Sequence, residues 1–258
     1  MRKDAAPFIR VEDLTIGYNG GTVIKNASFT INYSDIFVIM GMSGCGKSTI
    51  MRSIIGLLKP RSGRILIDGV DLWAAPQNIR ADIIKSFGIS YQSGALFSSM
   101  TLAENIALPM ELGTDMKPAD IKDAVNKKLK LVGLLGYENF YPSEVSGGMI
   151  KRAALARAMA LNPRALFFDE PSAGLDPIRS AELDELIQKI NHETQTTVVM
   201  VTHELPTIMN IANNSIYITN GRVAASGTPK KILQNTKHLE ILEFLTRGQR
   251  RIKNDSTK

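Results

Sequence analysis

Three stretches of the chain are apolar at nearly every position: Asp35 to Met40, Ala165 to Phe168, and Thr197 to Val201. Such runs fit short strands buried on both faces of a parallel sheet. Each run ends in residues unsuited to a core: the glycine-rich segment from Gly41, the pair Asp169-Glu170, and His203. In an open parallel sheet ligands bind beyond the carboxyl ends of the strands, so the three endings predict a common site. Elsewhere the pattern alternates. FIRVEDLTIGY and GTVIKNASFTI read as antiparallel strands joined at Asn19-Gly20-Gly21, and RILIDGVDL as a hairpin with Asp68-Gly69 at its tip. Residues 101–161 lack strand character and hold three helical stretches, TLAENIALPMEL, PADIKDAVNKKLKLVGLL and GGMIKRAALARAMAL. STIMRSIIGLL, from Ser48, predicts a further helix. After His203 come the short strands SIYIT and GRVAA, then helical PKKILQNTKHLEILEFL, where Leu239, Leu242 and Leu245 are expected on one face with Ile232.

The expectation is an α/β fold: a core with a parallel sheet, an antiparallel β subdomain and an inserted helical subdomain. As one domain over 1–258, the core and β subdomain take 8–92 and 162–228, the helical subdomain 93–161, and a helical tail 229–258.

Composition narrows the class. The 258 residues are 44% hydrophobic and 22% charged, ordinary for a globular protein with a sizeable core. A single cysteine, Cys45, excludes internal disulfides and suits a reducing compartment. MRKDAAPFIRVEDL lacks the apolar core of a signal peptide, and no run reaches the length of a membrane helix. Action at a membrane is therefore expected to need a separate membrane subunit. The net charge is +6, but the basic residues are scattered without interleaved aromatics, which argues against nucleic acid. The one basic cluster, RGQRRIKNDSTK, reads as a solvated end.

The chemistry starts at GMSGCGKST. Gly41, Gly46, Lys47 and Ser48 match G-x-x-x-x-G-K-[ST] between a strand and a helix, the context of a P-loop. The backbone N–H groups of Gly41, Met42, Ser43, Gly44, Cys45, Gly46, Lys47, Ser48 and Thr49 are candidates to surround phosphate oxygens. Lys47 supplies charge to the β- and γ-phosphates, and Ser48 a hydroxyl for Mg²⁺. The alternative, a glycine-rich turn with a surface lysine, leaves that context unexplained. In ALFFDEP, Asp169 suits a direct or water-mediated Mg²⁺ ligand and Glu170 suits orienting the attacking water. EVSGGMIKRAALARAMAL then presents a second serine-glycine helix start, again suited to an anion.

The order of P-loop 41–49, YQSG, VSGGM, ALFFDEP, SAGLDP and isolated His203 resembles the nucleotide-binding subunits of ABC transporters over nearly the whole chain. The resemblance implies a P-loop NTPase fold and two copies packed head to tail, each ATP lying between one P-loop and the other copy's signature. On that basis Ser146, Gly147 and Gly148 bind the γ-phosphate held by a partner's Lys47. Tyr18 matches the aromatic that stacks on adenine, and Gln92 the glutamine that senses Mg²⁺. Asp176 matches the aspartate that reaches across the dimer, and His203 the switch histidine at the γ-phosphate. Thus Glu170, His203, Lys47 and Gln92 are the expected catalytic set, with ATP and Mg²⁺ as cofactors. His192 and His238 match nothing. The signature departs mildly, with Val145 for leucine and Met149 for glutamine.

QSGALF and SAGLDPI further resemble the phospholipid-transport ATPases of the Mla type. This implies a homodimer at the cytoplasmic face of an inner membrane, bound to permease subunits with an Mce-type lipid-binding protein, with phospholipid as indirect cargo. A small STAS-domain regulator belongs to the same picture, though no residue here demonstrates it. An ATPase for another solute is the alternative, ahead of a non-transport ABC protein. Residues 237–258 are read either as packed on their own domain or as assisting dimerisation.

Overall fold

The computed structural model describes residues 7–246. The basic cluster at the carboxyl end lies outside them, as does most of the segment considered for dimerisation. In chain order the elements begin with β1 (Ile9–Tyr18), β2 (Gly21–Ile31), β3 (Ile36–Gly41), α1 (Lys47–Ile54), β4 (Ser62–Ile67) and β5 (Val70–Asp71). Next come α2 (Gln77–Lys85), β6 (Phe87–Ser90), α3 (Leu102–Gly113), α4 (Pro118–Leu131) and α5 (Gly147–Ala158). They are followed by β7 (Ala165–Asp169), α6 (Pro177–Thr194), β8 (Thr197–Val201), α7 (Leu205–Ile211), β9 (Asn214–Thr219) and β10 (Arg222–Gly227). Two helices, α8 (Pro229–Asn235) and α9 (Leu239–Thr246), close the described chain. Two compact units emerge, Met1–Arg80 with Val201–Lys258, and Ala81–Met200.

In the first unit β1 pairs antiparallel with β2 (Ile9↔Ile31, Tyr18↔Gly21) and with β4 (Ile9↔Ile67). Ile9, Val11, Leu14 and Ile16 face inward, with register shifts around Asp13. Asn19 and Gly20 both have positive φ, the geometry that joins tightly twisted hairpin strands. Asp68 and Gly69 repeat the device between β4 and β5. All six residues of β3 are buried, and β3 runs parallel to β9, whose other edge carries β10 antiparallel.

Two helical expectations change here. STIMRSIIGLL is helical only to Ile54, because Gly56 turns to φ +82° and takes the chain out of the right-handed region. PKKILQNTKHLEILEFL is two helices, broken where Thr236 goes extended. In α9 Ile241 and Leu245 are buried while Leu239 is 75% exposed, so of the expected face Leu245 and, in α8, Ile232 are buried and Leu239 is not.

In the second unit β7 lies between β8 and a parallel β6 (Phe87↔Ala165). Helices α3, α4 and α5 pack together in the stretch that the sequence marks as helical. A capping box at Thr101 and Glu104 starts α3. The apolar pattern did not disclose α2, β6, α6 or α7. β6 is only four residues, FGIS, and Gly88 within it lets the strand pass close to the end of α5. A Cβ on Gly88 would sit 2.1 Å from the Ala158 carbonyl oxygen at the end of α5. Backbone is in the way, so Gly88→Ala is expected to destabilise the protein by about 2 kcal/mol and to lower the melting temperature by several degrees, measured by thermal unfolding.

Candidate functional site

The P-loop follows directly from β3. Gly41 has φ +151°, and a Cβ there would lie 2.3 Å from the Ile218 carbonyl oxygen of β9 and 2.8 Å from Cys45 Sγ. Gly44 (φ +78°) faces open space, and Gly46 (φ +105°) caps α1 in the left-handed region without a side-chain cap. The first-turn N–H groups of α1 have no partner within the helix by its geometry. They therefore open toward whatever sits in the loop, with the positive end of the helix dipole behind them. Lys47 is 93% buried by side chain and backbone together (7% exposed), and its ammonium donates to the carbonyls of Gly41 (3.0 Å) and Met42 (3.1 Å). A buried cation held by carbonyl dipoles alone retains an unmet demand for an anion. Met42, Ser43 and Gly44 are exposed at the tip, Ser48 is partly buried and Thr49 buried. The loop is a cradle built for phosphate.

Tyr18 ends β1 beside α1, 42% exposed, and its hydroxyl accepts from Arg52 (3.3 Å). Burial lifts its phenol, but hydrogen bonds with Thr49 and Arg52 and the Arg52 charge outweigh this and leave it below the ordinary tyrosine value. An exposed ring fixed to the helix that the P-loop starts can present a flat face to a base. His203 follows the buried Thr202 ahead of α7; its side chain is half exposed, with Nε2 3.8 Å from Glu204 Oε1. His192 and His238 are exposed.

In the second unit a cleft of about 630 Å³ is lined by Gln92, Gly147, Lys151 and Asp169 among others. The glutamine and the acidic strand end thus share one cleft, offering an amide oxygen and a carboxylate. Hard oxygen donors of this kind fit Mg²⁺ when phosphates and water complete its shell. Glu170, the next residue, has φ +52°, a conformation uncommon for a non-glycine residue and concentrated at functional sites.

Ser146 is the N-cap of α5, its Oγ accepting from Met149 N (3.4 Å). Unlike the P-loop glycines, Gly147 and Gly148 do not have positive φ. A Cβ on Gly147 would meet nothing within 4 Å, and one on Gly148 only Arg179 Cδ at 3.5 Å. Their smallness therefore serves something outside the chain's own packing: bare backbone on an accessible surface. Asp176 has a local task that the sequence reading missed, as N-cap of α6 accepting from Ile178 N (3.1 Å) and Arg179 N (3.0 Å). Its carboxyl is held below the usual range first by the Arg179 backbone bond, against slight burial and with help from the Arg179 charge. Asp176 directly before Pro177, a capping residue ahead of proline at the first helical position, could have signalled this cap.

A second missed feature is a clamp on the loop after β6. Lys151 donates to the Gln92 carbonyl, and Arg157 to those of Ala95 (2.7 Å) and Gly94 (2.9 Å). Both cations come from α5, whose first turn carries Gly147 and Gly148. Further along, the fully buried Asn105 accepts from Phe97 N (2.8 Å) and donates to the carbonyls of Phe97, Met100 and Thr101. The Gln92 loop is thereby tied to α3 and α5 together.

A phosphate cradle at a strand end, with an acidic strand terminus and a second glycine-opened helix, defines a P-loop nucleotide-binding protein. Comparison with known proteins narrows this. Residues 24–173 match the family model for "ABC transporter". The chain is 38% identical over 237 residues to "Probable ribonucleotide transport ATP-binding protein mkl" of Mycobacterium tuberculosis, covering 92% of this chain but 66% of that protein. It is 37% identical over 238 residues to "Intermembrane phospholipid transport system ATP-binding protein MlaF" of Haemophilus influenzae, covering 92% of this chain and 90% of that one. Among solved structures it is similar to the dimeric ATP-binding cassette MJ0796 bound to ADP and Pi (TM-score 0.76, 29% identity, 85% of this chain and 98% of that one). The chain belongs to the ABC transporter family.

Cys45 makes the loop testable. Burial pushes its thiol up, against the opposing Lys47 charge, so the thiolate is scarce at neutral pH and grows as pH rises. Alkylation by N-ethylmaleimide is expected to be slow at pH 7 and faster toward pH 9, and to abolish Mg-ATP binding as read by calorimetry. Cys45→Ser should bind ATP and resist the reagent; equal loss in both proteins would contradict this placement.

Proposed function

We propose that this chain is the ATP-hydrolysing subunit of a transporter that moves phospholipid between inner and outer membranes, maintaining outer-membrane lipid asymmetry. One observation carries the cargo assignment. The match to MlaF runs over 92% of this chain and 90% of that protein, whereas the chain spans about two thirds of the Mkl relative. Ribonucleotide or another solute, the cargo class in Mkl's printed name, is the second reading.

In the proposed mechanism Lys47 and the P-loop N–H groups hold the β- and γ-phosphates, and Tyr18 stacks on adenine. Ser48, Gln92 and Asp169 would hold Mg²⁺, which when bound would supply positive charge against the phosphates. Glu170 orients the attacking water, and His203 contacts the γ-phosphate. Phosphoryl transfer needs mainly positioning and charge stabilisation, which these groups supply. Two copies close on ATP when Ser146, Gly147 and Gly148 of one meet the γ-phosphate on the other, with Asp176 at the same interface. The bare, accessible backbone at Gly147 supports this role. ADP lacks the γ-phosphate that bridges the copies, so hydrolysis reopens them; a nucleotide moves the equilibrium only by this difference in affinity. Met149 places a thioether where the family pattern has an amide, which weakens closure without abolishing it.

Among the described residues no helix is long and apolar enough to cross a membrane. The reading therefore includes inner-membrane permease subunits, with this chain at their cytoplasmic face, and an Mce-type lipid-binding protein in the same complex. A STAS-domain regulator is a further member of that assembly.

Glu170→Gln should accumulate an ATP-bound dimer, seen by size-exclusion chromatography with Mg-ATP; a monomer under those conditions contradicts the sandwich. For cargo, the tagged chain extracted with its membrane partners in mild detergent should bring down a permease, an Mce-type protein and phospholipid by mass spectrometry. A permease with a solute-binding protein and no lipid would favour the second reading.

A further inference from the structure

The helix α9 contains no recognised motif, yet it lies against the strand that floors the P-loop. β9 runs beside β3 with Met40 opposite Tyr217 and Gly41 opposite Ile218. The approach at Gly41 is so close that its missing Cβ would fall 2.3 Å from the Ile218 oxygen and 2.8 Å from Cys45 Sγ. Any shift of β9 along β3 is therefore felt by the first residue of the loop and by its cysteine. Tyr217 and Thr219, on either side of Ile218, are both held by one residue of α9. Glu240 accepts from Thr219 Oγ1 at 2.8 Å through each of its oxygens, and from the Tyr217 hydroxyl at 3.5 Å. The Tyr217 ring is fully buried and packs edge-on against Phe244, one turn further along α9, at 5.3 Å. Ile241 and Leu245 bury the same helix.

We propose that α9 braces the phosphate loop from below and that Glu240 is its positioning residue, fixing the end of β9 and through it Gly41 and Cys45. The electrostatics agree with this placement. Burial raises the Tyr217 phenol, and the Glu240 and Cys45 charges raise it further; Glu240 also acts on Cys45, behind the larger effects of burial and Lys47. Carboxylate, phenol and loop thiol thus form one connected cluster beneath the cradle. An exposed carboxylate far from every motif contributes to nucleotide affinity by holding its floor.

The inference rests on the P-loop's binding ATP, and the test separates the two. The full chain would be compared with Thr219→Val, Glu240→Ala and Glu240→Gln for Mg-ATP binding by calorimetry, for melting temperature, and for the rate of Cys45 alkylation without nucleotide. Thr219→Val keeps the negative charge and removes the donor, so a change shared with Glu240→Ala reports position and not charge. Both are expected to weaken ATP about fivefold, the scale of one lost charge-assisted bond only partly transmitted, and to alkylate several-fold faster. Glu240→Gln keeps length and an acceptor and should retain most of the affinity. Unchanged affinity and alkylation in Thr219→Val and Glu240→Ala, even with a lower melting temperature, would overturn the brace and leave α9 a purely structural helix. Wild-type protein that fails to bind ATP would instead overturn the reading of the P-loop itself.

Discussion

The first N–H groups of an α-helix have no acceptor within it, and this chain exposes that deficit twice at glycines. At α1 the deficit points into a closed loop, made by backbone conformations that only glycine adopts at ease: φ +78° at Gly44 and +105° at Gly46. At α5 it points outward from Gly147 and Gly148, which have ordinary backbone angles and little or nothing beside them. Under the proposed function the same kind of orphan donor would serve one ligand in two ways, as a cradle and as a lid. On that reading a chain with one of each is half of a symmetric arrangement. The rest of the fold keeps these two helix starts in place: fully buried β3 leads into the first, and Ser146 caps the second.

Between the helix starts and any outside partner stand polar contacts made by few residues. Asn105 is the most demanding, because a buried amide is costly unless satisfied. It finds its partners in the turn that opens α3 and in the loop after Gln92. Lys151 and Arg157 lie in the same unit and carry charge into partly buried positions, where burial lowers both from their ordinary values. The carbonyls of Gln92, Gly94 and Ala95 are what hold them there. A movement of α5 cannot leave that loop behind.

Much of this was legible in the residue pattern. The buried strands β3, β7 and β8, the hairpin at Asn19-Gly20 and the three helices between 101 and 161 were plain, because each is long or strongly periodic, or carries a turn residue with positive φ. The motif positions were equally plain, since their spacing is local. What escaped is non-local or short. β6 has four residues and depends on Gly88 fitting the Ala158 carbonyl, which no window of sequence reveals. The end of α1 at Gly56 was masked by the apolar run through it. In α9 the expected stripe ran through Leu239, Leu242 and Leu245, but Leu239 is exposed and the buried residues are Leu245 and, outside the stripe, Ile241. Asp176 was read for its family position while its cap on α6 went unseen.

The two tasks of α5 impose a condition on length more than on composition. Its amino end displays Gly147 and Gly148, and about three turns later Arg157 grips the loop that follows Gln92. Each residue advances a helix by about 100°, so adding or removing one between them would swing the guanidinium to another face while leaving every motif readable. Substitutions within this segment can be absorbed by side-chain packing, but a frameshift in its helical phase cannot. The helix works as a gauge block: the distance and the angle between its two ends are the information it carries.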